Sequence, residues 1–219
     1  MKLYHAPGAC SIGIHVLLEE IGQPFELARL NLAEGEQRKP EFTAVNRKGK
    51  VPTLVRDDGT VLTEFPAIAW WLALAHPQAH LLPGDAEGQA RALEAMDYIV
   101  GTMHGQGFRR MFRPALFAPN EGDHEKVKAQ GRQIFTDGLR LMDEQLAGKE
   151  YLLGDFSIAD AALFYAEFWA GRAFMRAKWA AQLAGGAARD GDGGRGGMSS
   201  DLEANKALAR AEPDASIQG

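Results

Sequence analysis

A short apolar strand is followed by a turn and then a helix in the first fifteen residues, Met1-Lys-Leu-Tyr-His-Ala-Pro-Gly-Ala-Cys-Ser-Ile-Gly-Ile-His15. The pattern predicts a strand over Lys2–His5 and a helix from Ser11 to about Glu20. Cys10, the only cysteine of the chain, lies where that helix begins. Unpaired backbone N–H groups and the helix dipole favour thiolate there, so we expect the pKa of the Cys10 thiol to be lowered and the thiol to be reactive. The alternative is a small buried hydrophobic residue.

The following segments extend this start into an α/β domain. A strand over Phe25–Leu30 would complete a right-handed βαβ unit with the first strand and helix. The turn Asp57-Asp58-Gly59-Thr60 predicts a hairpin between two further strands. The remaining predicted elements are a short helix over Pro40–Val45, strands over Thr53–Arg56 and Val61–Thr63, and a helix over Pro66–His76. Residues 1–76 are therefore expected to fold in the order β-α-β-α-β-β-α.

The chain after Pro77 has a helical pattern. Pro77 ends the preceding helix, because the residue before a proline is disfavoured in the α region. The long predicted helices cover Glu87–Met111, Glu125–Ala147 and Ser157–Ala170. The last of them begins with Ser157-Ile-Ala-Asp160, a capping box in which each side chain can bond the other residue's backbone N–H. Fold class is thus α/β followed by all-α.

The pattern is lost after about residue 170. Seven of the thirteen residues from Gly185 to Gly197 are glycine, and such a stretch loses much backbone entropy on folding while burying little. We expect residues 171–219 to be an atypical tail that is largely disordered or translated in a shifted reading frame.

Composition excludes several classes of function. A net charge of −5 gives no reason to expect a nucleic acid or a membrane surface as partner. The longest apolar run, Pro66–Ala75, is too short to cross a bilayer. The N-terminus does not read as a signal peptide and no internal disulfide is possible, so a cytoplasmic location is expected. No metal site is expected, because Pro77 breaks the helix that would align His76 with His80.

Two more motifs stand beside Cys10. Asn46-Arg-Lys-Gly-Lys-Val51-Pro52-Thr-Leu-Val55 places a proline at the entrance of a strand, where it marks a special backbone geometry. If the Val51–Pro52 bond is cis, the turn exposes the N–H and C=O of Val51 to an extended peptide. Leu62-Thr63-Glu64-Phe65-Pro66 places a carboxylate at the start of a helix, where a plain helix-dipole partner is the alternative interpretation.

In this order the motifs resemble the glutathione S-transferase family, and within it the bacterial cysteine-type (beta-like) class. The resemblance covers roughly residues 1–170. It implies a thioredoxin-like glutathione-binding domain over residues 1–76, a linker over 77–86 and a helical domain over 87–170. It also implies a homodimer, with glutathione as co-substrate and no other cofactor. The glutathione-binding residues that it implies are Cys10, Ser11, Val51, Pro52, Glu64, Phe65, Asp97 and His104, of which Cys10 and His104 are catalytic.

The expected reaction is attack of the glutathione thiolate on a small electrophilic hydrophobic substrate. Two alternatives stay open: a glutathione-dependent thiol-disulfide oxidoreductase acting through Cys10, and a catalytically impaired transferase-like binding protein. The second arises because Phe65 stands where the family usually has serine and because the tail after residue 170 is atypical. Gly35 likewise falls near the position of a lysine in some relatives, for which Arg38 or Lys39 is a candidate substitute. Of Phe108, Phe112 and Phe117, at least two are expected in the core.

Overall fold

The structure is a computed structural model that describes residues 1–173. The described chain forms two compact units: one holds Met1–Glu64 together with residues 167–173, and the other holds Phe65–Ala166. Residues 171–173 of the expected tail belong to the last helix. The prediction for residues 174–219 falls outside the described residues.

The first unit contains a four-stranded sheet. Its strands are β1 (Lys2–His5), β2 (Glu26–Arg29), β3 (Thr53–Val55) and β4 (Val61–Thr63), in the spatial order β2-β1-β3-β4. β1 pairs in parallel with β2 and antiparallel with β3, so that Leu3 lies between Leu27 and Leu54. β3 and β4 form the expected hairpin. Leu3 and Leu54 are fully buried and mark the core on the sheet.

Two helices connect these strands. α1 (Ser11–Ile21) crosses from β1 to β2 and buries Ile14, Leu17 and Leu18. It ends at Gly22, whose φ of 68° is the left-handed conformation that glycine adopts without a steric penalty. A 3₁₀ turn over Glu36–Arg38 and α2 (Pro40–Thr43) then lead towards β3. The predicted order of elements in this region is confirmed.

The second unit is helical. It holds α3 (Phe65–Ala75), α4 (Ala86–Asp97), a π-helix (Tyr98–Phe108), α5 (Arg109–Phe112), α6 (His124–Gln145) and most of α7 (Ile158–Ala173), with 3₁₀ turns at Pro77–Ala79, Pro114–Leu116 and Glu121–Asp123. The expected combination of a thioredoxin-like sheet and a helical region is confirmed. No helix within residues 1–173 combines the length and the apolar character that crossing a membrane requires.

The helix predicted over Glu87–Met111 is present, but it is not α-helical throughout. The backbone is α-helical only to Asp97 and then widens into the π-helix, so that the N–H of Arg109 reaches the carbonyl of His104, five residues earlier. Apolar periodicity shows that a segment is helical but not which carbonyl each N–H will reach.

The prediction that at least two of the three phenylalanines near α5 lie in the core is wrong. Phe108 is half-buried, while Phe112 and Phe117 are exposed. Phe135 of α6 is fully buried instead, with its ring centroid 5.9 Å from that of Phe108. Phenylalanine alone does not predict burial, because the surface of a folded protein always retains apolar side chains.

Candidate active site

The turn between β1 and α1 positions Cys10. Gly8 adopts a φ of 67°, and the N–H of Ala9 bonds the carbonyl of Ala6 over 3.1 Å. The buried hydroxyl of Ser11 accepts the N–H of Ala6 at 3.2 Å and lies 3.4 Å from the Ala6 carbonyl. The Ser11 side chain therefore closes the turn, and a contact of this residue with a ligand would use its backbone N–H.

The Cys10 thiol lies against the neighbouring proline turn. Its Sγ is 3.8 Å from the carbonyl oxygen of Val51, to which the thiol donates, and the residue is half-buried. Burial raises the pKa of Cys10 to about 12. The backbone N–H groups of Cys10 and Ser11 and the charge of Lys50 act in the lowering direction, and Glu64 adds to the rise.

The expectation of a lowered Cys10 pKa is therefore wrong. The backbone N–H groups at the helix start do favour the thiolate, as the sequence suggests. Loss of water around the sulfur outweighs them, because a buried anion has little solvation to replace that of bulk water. Without a bound ligand the thiol is protonated at neutral pH.

The segment before β3 forms a tight, internally bonded turn. The Val51–Pro52 peptide bond is cis, as the resemblance implies, and Pro52 is buried. The buried Asn46 amide donates to the Lys50 carbonyl at 2.9 Å and to Thr53 Oγ1 at 2.8 Å. Its Oδ1 accepts the N–H of Lys48. Asn46 thus spans the turn and fixes the backbone around Val51.

Glu64 follows β4 in an unusual backbone conformation. Its φ is 73°, in the left-handed region that few residues other than glycine adopt. Its exposed carboxylate lies 2.7 Å from the ammonium of Lys48, which also donates to Thr63 Oγ1 at 2.9 Å. The Lys48 ammonium therefore pairs with Glu64, and the charge of Lys50 acts on the Cys10 thiol. In the sequence, the only sign that these lysines belong to a binding site is their position in a short basic run.

A tryptophan from α7 also contacts the Cys10 turn. Trp169 is almost fully buried, and its Nε1–H donates to the carbonyl of Gly8 at 2.7 Å. Sequence reasoning missed this residue, because it lies 161 positions from its partner and belongs to no motif. The bond fixes one carbonyl of the turn that carries Cys10.

The second unit holds the other candidate residues. Phe65 is the first residue of α3 and is buried, with its ring 5.3 Å from that of Tyr165. Asp97 is exposed at the end of α4. His104 lies in the π-helix, half-buried, and its ring centroid is 5.7 Å from that of Tyr165. Tyr165 thus brings two of the three candidates together.

Half of the predicted capping box is present at the start of α7: Ser157 Oγ accepts the N–H of Ala159, whereas the N–H of Asp160 donates to the Ser157 carbonyl. Asp160 Oδ2 accepts the N–H of Ser157 at 2.9 Å and its hydroxyl at 2.8 Å, and Oδ1 accepts the N–H of Leu152. Burial raises the pKa of Asp160, although these hydrogen bonds act in the opposite direction. The box holds the start of α7 and performs no chemistry.

The loop around Gly35 has no lysine at that position. Gly35 adopts a φ of 70°, Arg38 is exposed, and the Lys39 ammonium lies 3.5 Å from Glu36 Oε1. In residues 1–173, no group of three or more His, Cys, Asp and Glu side chains is arranged to hold a metal ion.

Comparison with known proteins identifies the family. The family model for the N-terminal domain of glutathione S-transferases matches residues 8–75. Glutathione S-transferase GstA of Escherichia coli O157:H7 is 36% identical over 173 residues, covering 78% of this chain and 82% of the relative.

Solved structures agree with this match. A glutathione transferase homologue from Sulfitobacter, with bound glutathione, gives a TM-score of 0.76 at 28% identity over 94% of this chain and 98% of that one. The bacterial beta class glutathione S-transferase of Sphingomonas chungbukensis gives 0.73 at 29% identity over 95% and 98%. The chain therefore belongs to the glutathione S-transferase family of transferase enzymes.

Proposed function

We propose that the chain binds glutathione beside Cys10 and transfers its thiolate to small electrophilic hydrophobic substrates, with Cys10 as a hydrogen-bond donor to the glutathione sulfur. The observation that carries this role is the half-buried thiol donating to the Val51 carbonyl. Its raised pKa keeps the proton on Cys10 at neutral pH. A protonated thiol can donate to an anionic sulfur, whereas a cysteine that attacks a disulfide must itself be thiolate.

The backbone around Val51 and Glu64 would hold the tripeptide. The cis turn at Val51–Pro52 presents backbone groups to the cysteinyl unit, and binding would replace the thiol of Cys10 at the Val51 carbonyl. At the γ-glutamyl end, the ligand's ammonium would replace that of Lys48 on Glu64. The N–H of Phe65 begins α3, and a helix start favours the ligand's carboxylate. This contact needs no serine hydroxyl.

The remaining candidates belong to the helical unit, and their roles are carried over from the resemblance alone. His104 is proposed to approach the glutathione sulfur, and Asp97 to add a polar contact. The exposed side chains of Phe112, Leu116 and Phe117 offer apolar surface for a hydrophobic electrophile. The Arg110 guanidinium lies 4.3 Å from the Phe117 ring centroid and keeps one charge at that surface.

The test is a pair of substitutions at Cys10. C10S keeps a donor of similar shape, whereas C10A removes it. With glutathione and an electrophilic aromatic substrate, we expect kcat/KM to fall by about tenfold or more in C10A and by much less in C10S. Thermal unfolding of both variants controls for folding. Equal activity of C10A and wild type would contradict the donor role.

Oxidised glutathione distinguishes the oxidoreductase alternative. Mass spectrometry of the wild type after exposure at neutral pH should show little mixed disulfide at Cys10, because the thiol remains protonated. A rapid, complete adduct without conjugation activity would favour the oxidoreductase. Neither an adduct nor conjugation would favour the impaired binding protein.

We also infer that the chain forms a homodimer and acts in the cytoplasm. The dimer rests on family membership. The location rests on chemistry, because the cytoplasm keeps glutathione and a single thiol reduced. Sedimentation analysis that finds only monomers at micromolar concentration would contradict the dimer.

A further inference from the structure

The aromatic side chains around His104 in the helical unit pack as a cluster, and one of them, Tyr165, has no part in the contacts proposed so far. The cluster consists of Phe65, His104 and Tyr165. The Tyr165 ring is fully buried and meets Phe65 edge-on at 5.3 Å and His104 edge-on at 5.7 Å between centroids. Phe108 adds a further edge-on contact to His104 at 6.3 Å. Edge-to-face pairs at such distances are favourable and restrict the orientation of each ring.

The Tyr165 hydroxyl reaches the imidazole of His104. It lies 3.4 Å from Nδ1. A buried phenol hydroxyl nearly always donates a hydrogen bond, and a neutral imidazole has one nitrogen that accepts and one that donates. If the phenol donates to Nδ1, the imidazole proton must be on Nε2.

We propose that Tyr165 is a positioning residue that holds His104 in the Nε2–H tautomer through the Tyr165 Oη–Nδ1 hydrogen bond, with Phe65 packed on the same tyrosine ring. The proposal rests on the proposed function, in which His104 approaches the glutathione sulfur. An Nε2–H group can donate to a thiolate, whereas the other tautomer would present a lone pair to it.

The cluster also accounts for the side chain at position 65. A serine there would supply a hydroxyl, but the phenylalanine turns inward and is buried against Tyr165. Its ring therefore stabilises the residue that orients His104, while its backbone N–H stays at the start of α3. In this chain the side chain at position 65 therefore makes no hydroxyl contact with the ligand and instead packs against Tyr165, the residue that orients His104.

The test is Tyr165→Phe in the full chain, which removes the hydroxyl and keeps the ring packing. Two-bond ¹⁵N–¹H correlation spectra distinguish protonated from unprotonated ring nitrogens, and His104→Gln assigns the signals. We expect Nε2–H in the wild type and a mixture of tautomers in Y165F. In conjugation assays we expect kcat to fall about tenfold, a part of what a positioned donor contributes, with KM for glutathione changed less than twofold.

Tyr151→Phe is the matched control, because Tyr151 also packs edge-on against a phenylalanine, Phe156, in the same unit. It should change neither the His104 signals nor kcat. An unchanged His104 tautomer in Y165F, or a wild type with the proton on Nδ1, would overturn the proposal. A wild type that neither binds nor conjugates glutathione would instead refute the proposed function, and the spectra would still decide the role of Tyr165.

Discussion

Glu64 combines a carboxylate suited to ligand binding with a backbone that disfavours its own side chain. A left-handed φ costs an ordinary residue roughly 1–2 kcal/mol, and such conformations persist mainly at functional sites. The φ of 73° is found where β4 ends and α3 begins. Glycine would be the most stable residue at position 64, so the presence of a glutamate there indicates that its carboxylate is needed for function.

Glu64→Gly tests this conflict between stability and function. We expect the free energy of unfolding to stay within about 1 kcal/mol of wild type, because relief of the left-handed strain offsets the greater entropy of glycine in the unfolded chain. KM for glutathione should rise at least about tenfold, the equivalent of one lost charged contact. Urea unfolding and steady-state kinetics measure the two quantities.

Glu26→Gly is the matched control for that substitution. Glu26 also carries an ion-paired carboxylate, but it lies in β2, in ordinary strand conformation. We expect a loss of about 1 kcal/mol from glycine in a strand and an unchanged KM. An equal loss in the free energy of unfolding of E64G and E26G would contradict backbone strain at Glu64.

His5 in β1 couples stability to pH. Burial, together with repulsion from His15 and Arg29, lowers the pKa of His5 to about 4 from its usual 6.5. The unfolded chain takes up this proton near pH 6.5, while the folded chain resists it until about pH 4. The unfolded state therefore binds more protons in that window, and stability falls as the pH falls through it.

His5→Gln should remove this part of the pH dependence. Between pH 6.5 and 4 we expect the wild type to lose about 1–2 kcal/mol more than H5Q, less than the full shift implies because solvent screens the partly exposed ring. Urea unfolding at several pH values measures the difference. His80→Asn is the control, at an exposed position whose positive φ asparagine tolerates. If the free energy of unfolding of H5Q and wild type varied with pH in parallel, His5 would not be the source of this pH dependence.

At the scale of elements, the π-helix and α6 pack closely through glycines. A Cβ at Gly131 of α6 would lie 2.6 Å from the Gly107 carbonyl oxygen, and one at Gly107 would lie 3.0 Å from the Phe135 backbone nitrogen. Backbone atoms cannot move aside as a flexible side chain can. These glycines therefore set the distance between the two helices, and His104 lies in the π-helix that they hold.

Gly131→Ala should separate these helices. We expect a loss of about 1–3 kcal/mol in the free energy of unfolding, typical of overpacking, together with lower conjugation activity. Gly101→Ala is the control, since a Cβ there meets nothing within 4 Å. Its stability should be unchanged or higher, because alanine has the greater helix propensity. Similar losses in both variants, measured by chemical denaturation, would contradict the packing argument.

At the scale of the whole molecule, ligand binding and folding are linked. A ligand that binds only the folded chain stabilises it in proportion to the logarithm of its concentration over Kd. Reduced glutathione at a hundred times Kd should raise the free energy of unfolding by about 2.7 kcal/mol. Thermal scans with increasing glutathione measure the shift, and E64G should need far more ligand for the same shift. Identical shifts in E64G and wild type would place the ligand away from Glu64.

Local patterns in the sequence determined much of this protein. The order of elements up to α3, the hairpin between β3 and β4, and the capping contact between Ser157 and Asp160 all depend on neighbouring residues, whose preferences can be read directly. The same holds for the ordered motifs that identify the family. Their chemistry acts over a few positions, so no tertiary information is needed.

The protonation and the contacts of the site residues depend on tertiary packing. Cys10 contacts Val51 across 41 positions, His104 meets Tyr165 across 61, and Gly8 meets Trp169 across 161. Burial of the Cys10 thiol outweighed the helix start and reversed the expected direction of its pKa. Solvation and ring contacts depend on everything that packs around a group, and this is why a sequence that names the reactive residues does not give their protonation or orientation.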